Sequence, residues 1–171
     1  MMSERIWSFP PVAAESVRLL ILGTMPSAAS LDAGFYYAHP RNCFWPMMAE
    51  ILGESNPADI DAKRALLMRH GIALWDVAMS CVRPGSLDSN IREPVPNDIG
   101  ALLRAHPGIT CVLLNGGTAM KLFERLLPDV AREIDHRQMP STSPAYTLNY
   151  ALKRDAWAMG IQKSKGGKID V

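Results

Sequence analysis

The sequence predicts an α/β fold, a three-layer α/β/α sandwich around a central, mostly parallel sheet of four to five strands. Three observations predict it. Two apolar runs of strand length, within Val17–Leu22 and at Cys111–Leu114, each lead into a loop of glycine and small polar residues. Segments with helical spacing of apolar residues alternate with the strand candidates. The chain has 171 residues, which suits a single domain over 1–171 with one hydrophobic core.

Each element follows in order. The first strand ends in Gly23-Thr24-Met25-Pro26-Ser27, and a buried strand running into such a loop often begins a ligand site. Ser30 to Pro40, with Phe35, Tyr36 and Tyr37, reads as a long ordered loop, too aromatic for a linker. Asn42 is a good N-cap for a helix in which Phe44, Trp45, Met48, Ile51 and Leu52 recur at helical spacing before Gly53. A second helix covers Ile60 to His70, and Ile72 to Val82 reads as one strand. Arg83 to Pro96, with three prolines, reads as a polar loop. A short helix spans Asp98 to Ala105, capped by Asn97. After Cys111–Leu114, a helix covers Ala119 to Leu127, and Ile134 to Met139 is the last strand. The loop Pro140 to Ala145 then precedes a helix from about Leu148 to Met159 and a basic, glycine-bearing tail over 162–171, expected to be mobile.

Composition narrows the function classes. Hydrophobic residues are 48% and charged residues 20%, which fits a globular domain and argues against a disordered one. The apolar runs are too short to span a membrane, and no charged n-region with an apolar h-region opens the chain, so the expected compartment is the cytoplasm. The three cysteines, Cys43, Cys81 and Cys111, lack CxxC spacing, so neither a disulfide framework nor a metal or iron–sulfur site is expected. No cofactor and no obligate protein partner are implied. The net charge of +1 neither demands nor forbids nucleic acid, so any DNA affinity must come from a local patch.

The motifs are more specific. Gly23-Thr24-Met25-Pro26-Ser27 is followed by Tyr36-Tyr37-Ala38-His39-Pro40-Arg41-Asn42-Cys43-Phe44-Trp45. Leu74-Trp75-Asp76, Ser86-Leu87-Asp88, Asn115-Gly116-Gly117-Thr118-Ala119 and Pro140-Ser141-Thr142-Ser143-Pro144 come after them in order. This ordered set resembles the uracil-DNA glycosylase superfamily, and within it the hypoxanthine-DNA glycosylase branch, with similarity to mismatch-specific uracil-DNA glycosylases. The resemblance implies a uracil-DNA glycosylase-like fold and a monofunctional enzyme of base excision repair, acting on DNA that contains a deaminated base, foremost hypoxanthine. Many relatives carry Asn or Asp in the first loop where this chain has Met25, and a thioether holds water poorly. In the hypoxanthine branch the Asn of P-R-N takes over, which implies Asn42 as the catalytic residue.

The resemblance also implies the supporting cast. Such an enzyme extrudes the base from the duplex into a pocket. Tyr37 matches the stacking aromatic, and Gly23, Thr24, Met25, Pro26, Ser27 and Asn115 would line the base pocket. His39 and Asp76 are supporting candidates. Ser141, Thr142, Ser143 and Tyr146 would meet the DNA, with Tyr146 or a neighbour filling the gap left by the flipped base. Lys153 and Arg154 are candidates for phosphate contacts.

Each residue has a plainer reading as well. Asn42 suits a helix cap, Tyr37 and Trp45 suit core packing, and Asn115 suits a cap for the next helix. His39 suits a loop hydrogen bond, and Asp76 needs a partner if buried. Within the class the alternative is a uracil or G:T/U mismatch-specific DNA glycosylase using the same pocket; outside it stand a non-catalytic lesion or nucleic-acid binding module, motivated by Met25, and an esterase-like hydrolase, which lacks the expected G-x-S-x-G elbow.

Overall fold

The computed structural model describes residues 4–164. Four parallel strands form the central sheet in the order β3-β2-β6-β7: β2 (Leu19–Gly23), β3 (Ile72–Asp76), β6 (Cys111–Asn115) and β7 (Asp135–Met139). β2 and β6 are buried along their whole length, which is why they read as unbroken apolar runs rather than alternating ones. β7 (Asp-His-Arg-Gln-Met) sits at the edge, where only one flank is paired and polar side chains reach solvent.

Successive residues of a strand point to opposite faces, and each face of this sheet has its own helices. Leu19 and Ile21 join Leu74 and Leu113 against Phe44, Met47 and Met48 of α2 (Phe44–Leu52), Leu66 and Leu67 of α3 (Ile60–Arg69), and Trp157 and Ile161 of α7 (Tyr150–Ser164). Leu20 and Leu22 join Val112 and Leu114 against Ile99 of α4 (Ile99–Ala105) and Ala119, Leu122 and Phe123 of α5 (Gly117–Leu126). These are the three layers that the alternation of strands and helices predicts.

Several local expectations fail for identifiable reasons. Residues 72–82 are two strands, not one: the chain leaves the central sheet after Asp76, and β4 (Ala78–Val82) joins a separate antiparallel sheet of order β1-β4-β5. That sheet also takes up β1 (Arg5–Trp7) and β5 (Arg92–Pro96), the latter inside the expected polar loop. Its prolines read as strand breakers, yet β5 is an edge strand, where a missing N–H is tolerated. Within the aromatic loop a short helix, α1 (Ala28–Ala33), is capped by Ser27, whose side chain accepts from Ser30 N. α4 is capped by Asp98 rather than Asn97, whose amide instead donates to the backbone carbonyls of Asp76 at 2.8 Å and Ala78 at 3.3 Å. A further helix, α6 (Pro128–Glu133), begins at Pro128, which suits a first helical position. α7 starts later and runs longer than expected, so residues 162–164 of the expected tail are helical; 165–171 lie outside the described residues. No helix among the described residues is long and apolar enough to cross a membrane.

Candidate active site

The last residues of all four parallel strands, Gly23, Asp76, Asn115 and Met139, line one cavity of about 490 Å³. Sites of parallel sheets form at these carboxyl ends, where the following loops converge. Gly23 to Ser27, Tyr37, Asn42, Ser141 to Ser143 and Tyr146 complete the lining together with residues that the motifs did not single out, among them Ser30, Lys121 and Gln138.

The first loop is held open by its own hydrogen bonds. Ser30 Oγ accepts from Ala38 N at 3.0 Å, tying α1 to the turn that carries Tyr37. Arg83, only 4% exposed, donates from Nη2 to Pro26 O at 2.5 Å and from Nε to Gly85 O at 2.9 Å. Arg83 thus clamps the Pro26 turn to the loop after β4. The sequence signal for it was absent, because a lone arginine before Pro-Gly reads as a surface residue. Met25 packs on Ala78 and Cys81 while still lining the cavity.

Asn42 is both cap and cavity wall. Its Oδ1 accepts from Phe44 N at 3.0 Å, and its own N–H donates to His39 O at 2.9 Å. The bond from Phe44 N to Oδ1 fixes the amide orientation, so Nδ2 is the end left to donate elsewhere. The helix starts one residue later than expected, with Cys43 at the cap position. Tyr37 adopts a positive φ of 53°, uncommon for a bulky residue. Its ring packs on Phe44 at 4.2 Å between centroids. The phenol oxygen is buried without a hydrogen-bond partner among the described residues, and burial, with the Asp76 charge beside it, holds its pKa far above the ordinary tyrosine value. The nearby Asn115 amide opposes that shift but makes no well-formed hydrogen bond to the phenol.

Asp76 is 3% exposed. Its Oδ2 accepts from Ser8 Oγ at 2.7 Å. Burial pushes its carboxyl up to about 7; Ser8 pulls it down, Asp88 pushes it up and Arg83 pulls it down. Gly23 is required beside it, since a Cβ there would lie 2.6 Å from both Asp76 Oδ1 and the Tyr37 hydroxyl.

The loop after β7 is anchored from several sides. Asn115 Nδ2 donates to Thr142 Oγ1 at 3.0 Å and its Oδ1 accepts from Thr142 N at 3.0 Å. Cys43 N donates to Thr142 O at 3.1 Å, and Trp157 Nε1 donates to Pro140 O at 2.8 Å. Gly116, at φ 100°, lets the chain pass Ser141, whose Cβ would lie 3.1 Å from any Cβ added there.

Five expectations change. Lys153, expected on phosphates, is 4% exposed, and its Nζ donates to Ser143 O at 3.2 Å and Tyr146 O at 2.6 Å. Thr142, expected on DNA, is 1% exposed and occupied by Asn115. His39 is not in the cavity wall; its Nδ1 accepts from Arg41 N at 3.1 Å and shapes the turn that delivers Asn42. Arg154 also lies outside the wall and pairs with Glu50 and Asp155, while Tyr146, 46% exposed, and the partly exposed Ser141 and Ser143 stay at the cavity mouth. Asn115 is engaged with the loop instead of capping α5, whose cap is Gly116. Among the described residues no group of three or more His, Cys, Asp or Glu side chains could hold a metal ion.

Known proteins with the same pattern are found in sequence and in structure. The family model of the uracil DNA glycosylase superfamily matches residues 10–161. A protein named hypoxanthine DNA glycosylase from Methanosarcina barkeri is 30% identical over 156 residues, covering 91% of this chain and 97% of that one. A second protein of that name from Methanosarcina acetivorans is 34% identical over 138 residues, covering 80% and 85%. The solution NMR structure of a Methanosarcina acetivorans protein described as a candidate uracil DNA glycosylase superposes with a TM-score of 0.81 at 29% identity, covering 95% of this chain and 99% of that one. A family match across nearly the whole chain, two relatives of the same name and a shared fold converge on one conclusion: the chain belongs to the uracil DNA glycosylase superfamily.

Proposed function

We propose that this protein is a monofunctional DNA glycosylase of base excision repair that hydrolyses the N-glycosidic bond of a deaminated purine, hypoxanthine foremost, flipped out of DNA. One observation carries the reading: the Tyr37 ring, the Asn42 amide and the Gly23–Ser27 loop line a single cavity at the carboxyl ends of the parallel strands. The names of the two Methanosarcina relatives support the choice of base.

In this reading the flipped base stacks on Tyr37, which Phe44 backs from within the core. Asn42 holds the attacking water. An amide is a poor base, so its contribution is position rather than deprotonation. The bond breaks with little nucleophilic push, and the sugar passes through an oxocarbenium-like state. Backbone N–H groups of the Gly23–Ser27 loop are suited to charge that develops on the leaving base. Lys121 lines the cavity but is exposed, not in the desolvated setting that activates a lysine for Schiff-base chemistry. Hydrolysis without strand cleavage is therefore the expected outcome. Tyr146 and the serines of the last loop would face the DNA from the mouth of the cavity.

A strand-cleavage assay tests this. Oligonucleotide duplexes carry one hypoxanthine, uracil, xanthine or mismatched thymine, and alkali breaks any abasic site formed. Cleavage at hypoxanthine that falls by roughly 10² to 10³ in Asn42→Ala is the expected result, the size of a lost positioning or charge-stabilising contact. Cleavage at uracil alone would move the substrate, and folded protein that binds lesion DNA without cutting any of it would leave a binding module.

A further inference from the structure

Asp76 is a buried acid in the cavity that the mechanism above does not use. The hydrogen bond that reaches its carboxylate ends on Oδ2, from Ser8; Oδ1 takes none among the described residues. Oδ1 lies against the Gly23 backbone, beside the Tyr37 hydroxyl. The charged and titratable groups that face it are few. Tyr36 and Tyr37 approach from the aromatic turn, Arg83 and Asp88 from the segment after β4. Arg83 is committed to the carbonyls of Pro26 and Gly85, and among the described residues no salt bridge to Asp76 forms. A carboxyl buried without a paired cation favours its neutral, proton-bearing form. Asn97, bonded to the Asp76 carbonyl, holds the strand end in place.

We propose that Asp76 is the general acid of this site, passing its proton to a ring nitrogen of the departing purine as the bond to C1′ breaks. The inference rests on the reading of the cavity as a deaminated-purine glycosylase site. The step balances without any co-reactant. The electron pair of the glycosidic bond leaves with the base, and the proton from Asp76 neutralises it. Water adds to C1′ and loses a proton, which restores the Asp76 carboxyl. A purine offers basic imidazole nitrogens for this transfer, whereas uracil has no comparably basic ring nitrogen, so the acid also favours the purine class. The carboxyl titrates at about 7, where a general acid is most effective at neutral pH.

The test is single-turnover release of hypoxanthine from a duplex with one deoxyinosine, between about pH 5.5 and 9, by wild type and Asp76→Asn. Binding to the same duplex carrying an uncleavable 2′-fluoro analogue of the lesion is measured alongside. The acid is active while protonated, so the wild-type rate stays level below about 7 and falls about tenfold per unit above it. Asp76→Asn is expected to lose roughly 10² to 10⁴ in rate, to have no alkaline limb, and to bind the analogue like wild type. A wild-type rate that is flat or rising through pH 8, an alkaline limb kept by the variant, or a loss matched by equally weak binding would each overturn the acid role. Wild type that releases no hypoxanthine at any pH strikes down the substrate reading, and the acid step falls with it. Release with a flat profile strikes down the acid step alone.

Discussion

Two parts of the cavity lining use their polar groups in contrasting ways. The Pro140–Tyr146 loop commits them to its scaffold: Trp157, Cys43, Asn115 and Lys153 all bond to it, and the Lys153 ammonium reaches two carbonyls at once. Around Gly23 the pattern reverses. Among the described residues the Tyr37 hydroxyl and Thr24 Oγ1 are buried without a hydrogen-bond partner, and Asp76 Oδ1 is left open beside them. An unsatisfied buried polar group costs about 1–3 kcal/mol, and a functional role is one reason a fold keeps such groups. The difference separates a loop whose polar groups are satisfied within the chain from a stretch of the lining whose polar groups are left open.

The largest effect expected from breaking this contrast is thermodynamic. Asp76 has its folded pKa raised from 3.8 to about 7, so its share of stability is complete below pH 4 and is lost as pH rises through 7. At pH 8 the ionised side chain therefore costs on the order of 4 kcal/mol. Asp76→Asn, which can still accept from Ser8, should be more stable than wild type at pH 8, with the gap closing toward pH 4. Urea unfolding at the two pH values reads it, and a variant destabilised at pH 8 would contradict it. Next in size, Gly23→Ala forces a Cβ into Asp76 and the Tyr37 hydroxyl. Overpacking of this kind costs about 1–3 kcal/mol, and displacement of catalytic groups costs rate by up to about 10². A variant that folds and cuts like wild type would show that this part of the lining is not tightly set. The smallest effect sharpens the other side of the comparison. Lys153→Met removes a cation from two carbonyls, worth about 1.5–3 kcal/mol if both bonds count, and should weaken DNA binding by about tenfold. The slope of log affinity against log salt should stay unchanged, because the Lys153 ammonium is engaged with the loop carbonyls; a slope reduced by about one would return it to a phosphate role.

The contrast also marks what the sequence could convey. The parallel sheet and its helices were legible because burial writes itself into composition: β2 and β6 are unbroken apolar runs, and α2 repeats at helical spacing. Many of the residues that gather in the cavity were legible through motif order, since the motifs lie at strand ends or in the loops after them. What was hidden depends on distant partners. Lys153 at a helix start reads as an exposed cation, and only the folded loop covers it. Arg83 gives no local sign that it will be buried on Pro26 O. β5 conceals itself behind two prolines, and the chain's exit from the central sheet at Val77 leaves no mark in an apolar stretch. The pKa of Asp76 belongs to the same class: its neighbours Ser8, Asp88 and Arg83 come from separate segments.

The central claim is that this cavity releases a free deaminated purine. Incubating the purified protein with a duplex bearing one deoxyinosine and identifying the small-molecule product by mass spectrometry tests it directly. The account predicts free hypoxanthine, in equal amount to an abasic site in a strand that stays intact until alkali is added. Release of no base, or strand scission with the base still attached to sugar, would contradict it.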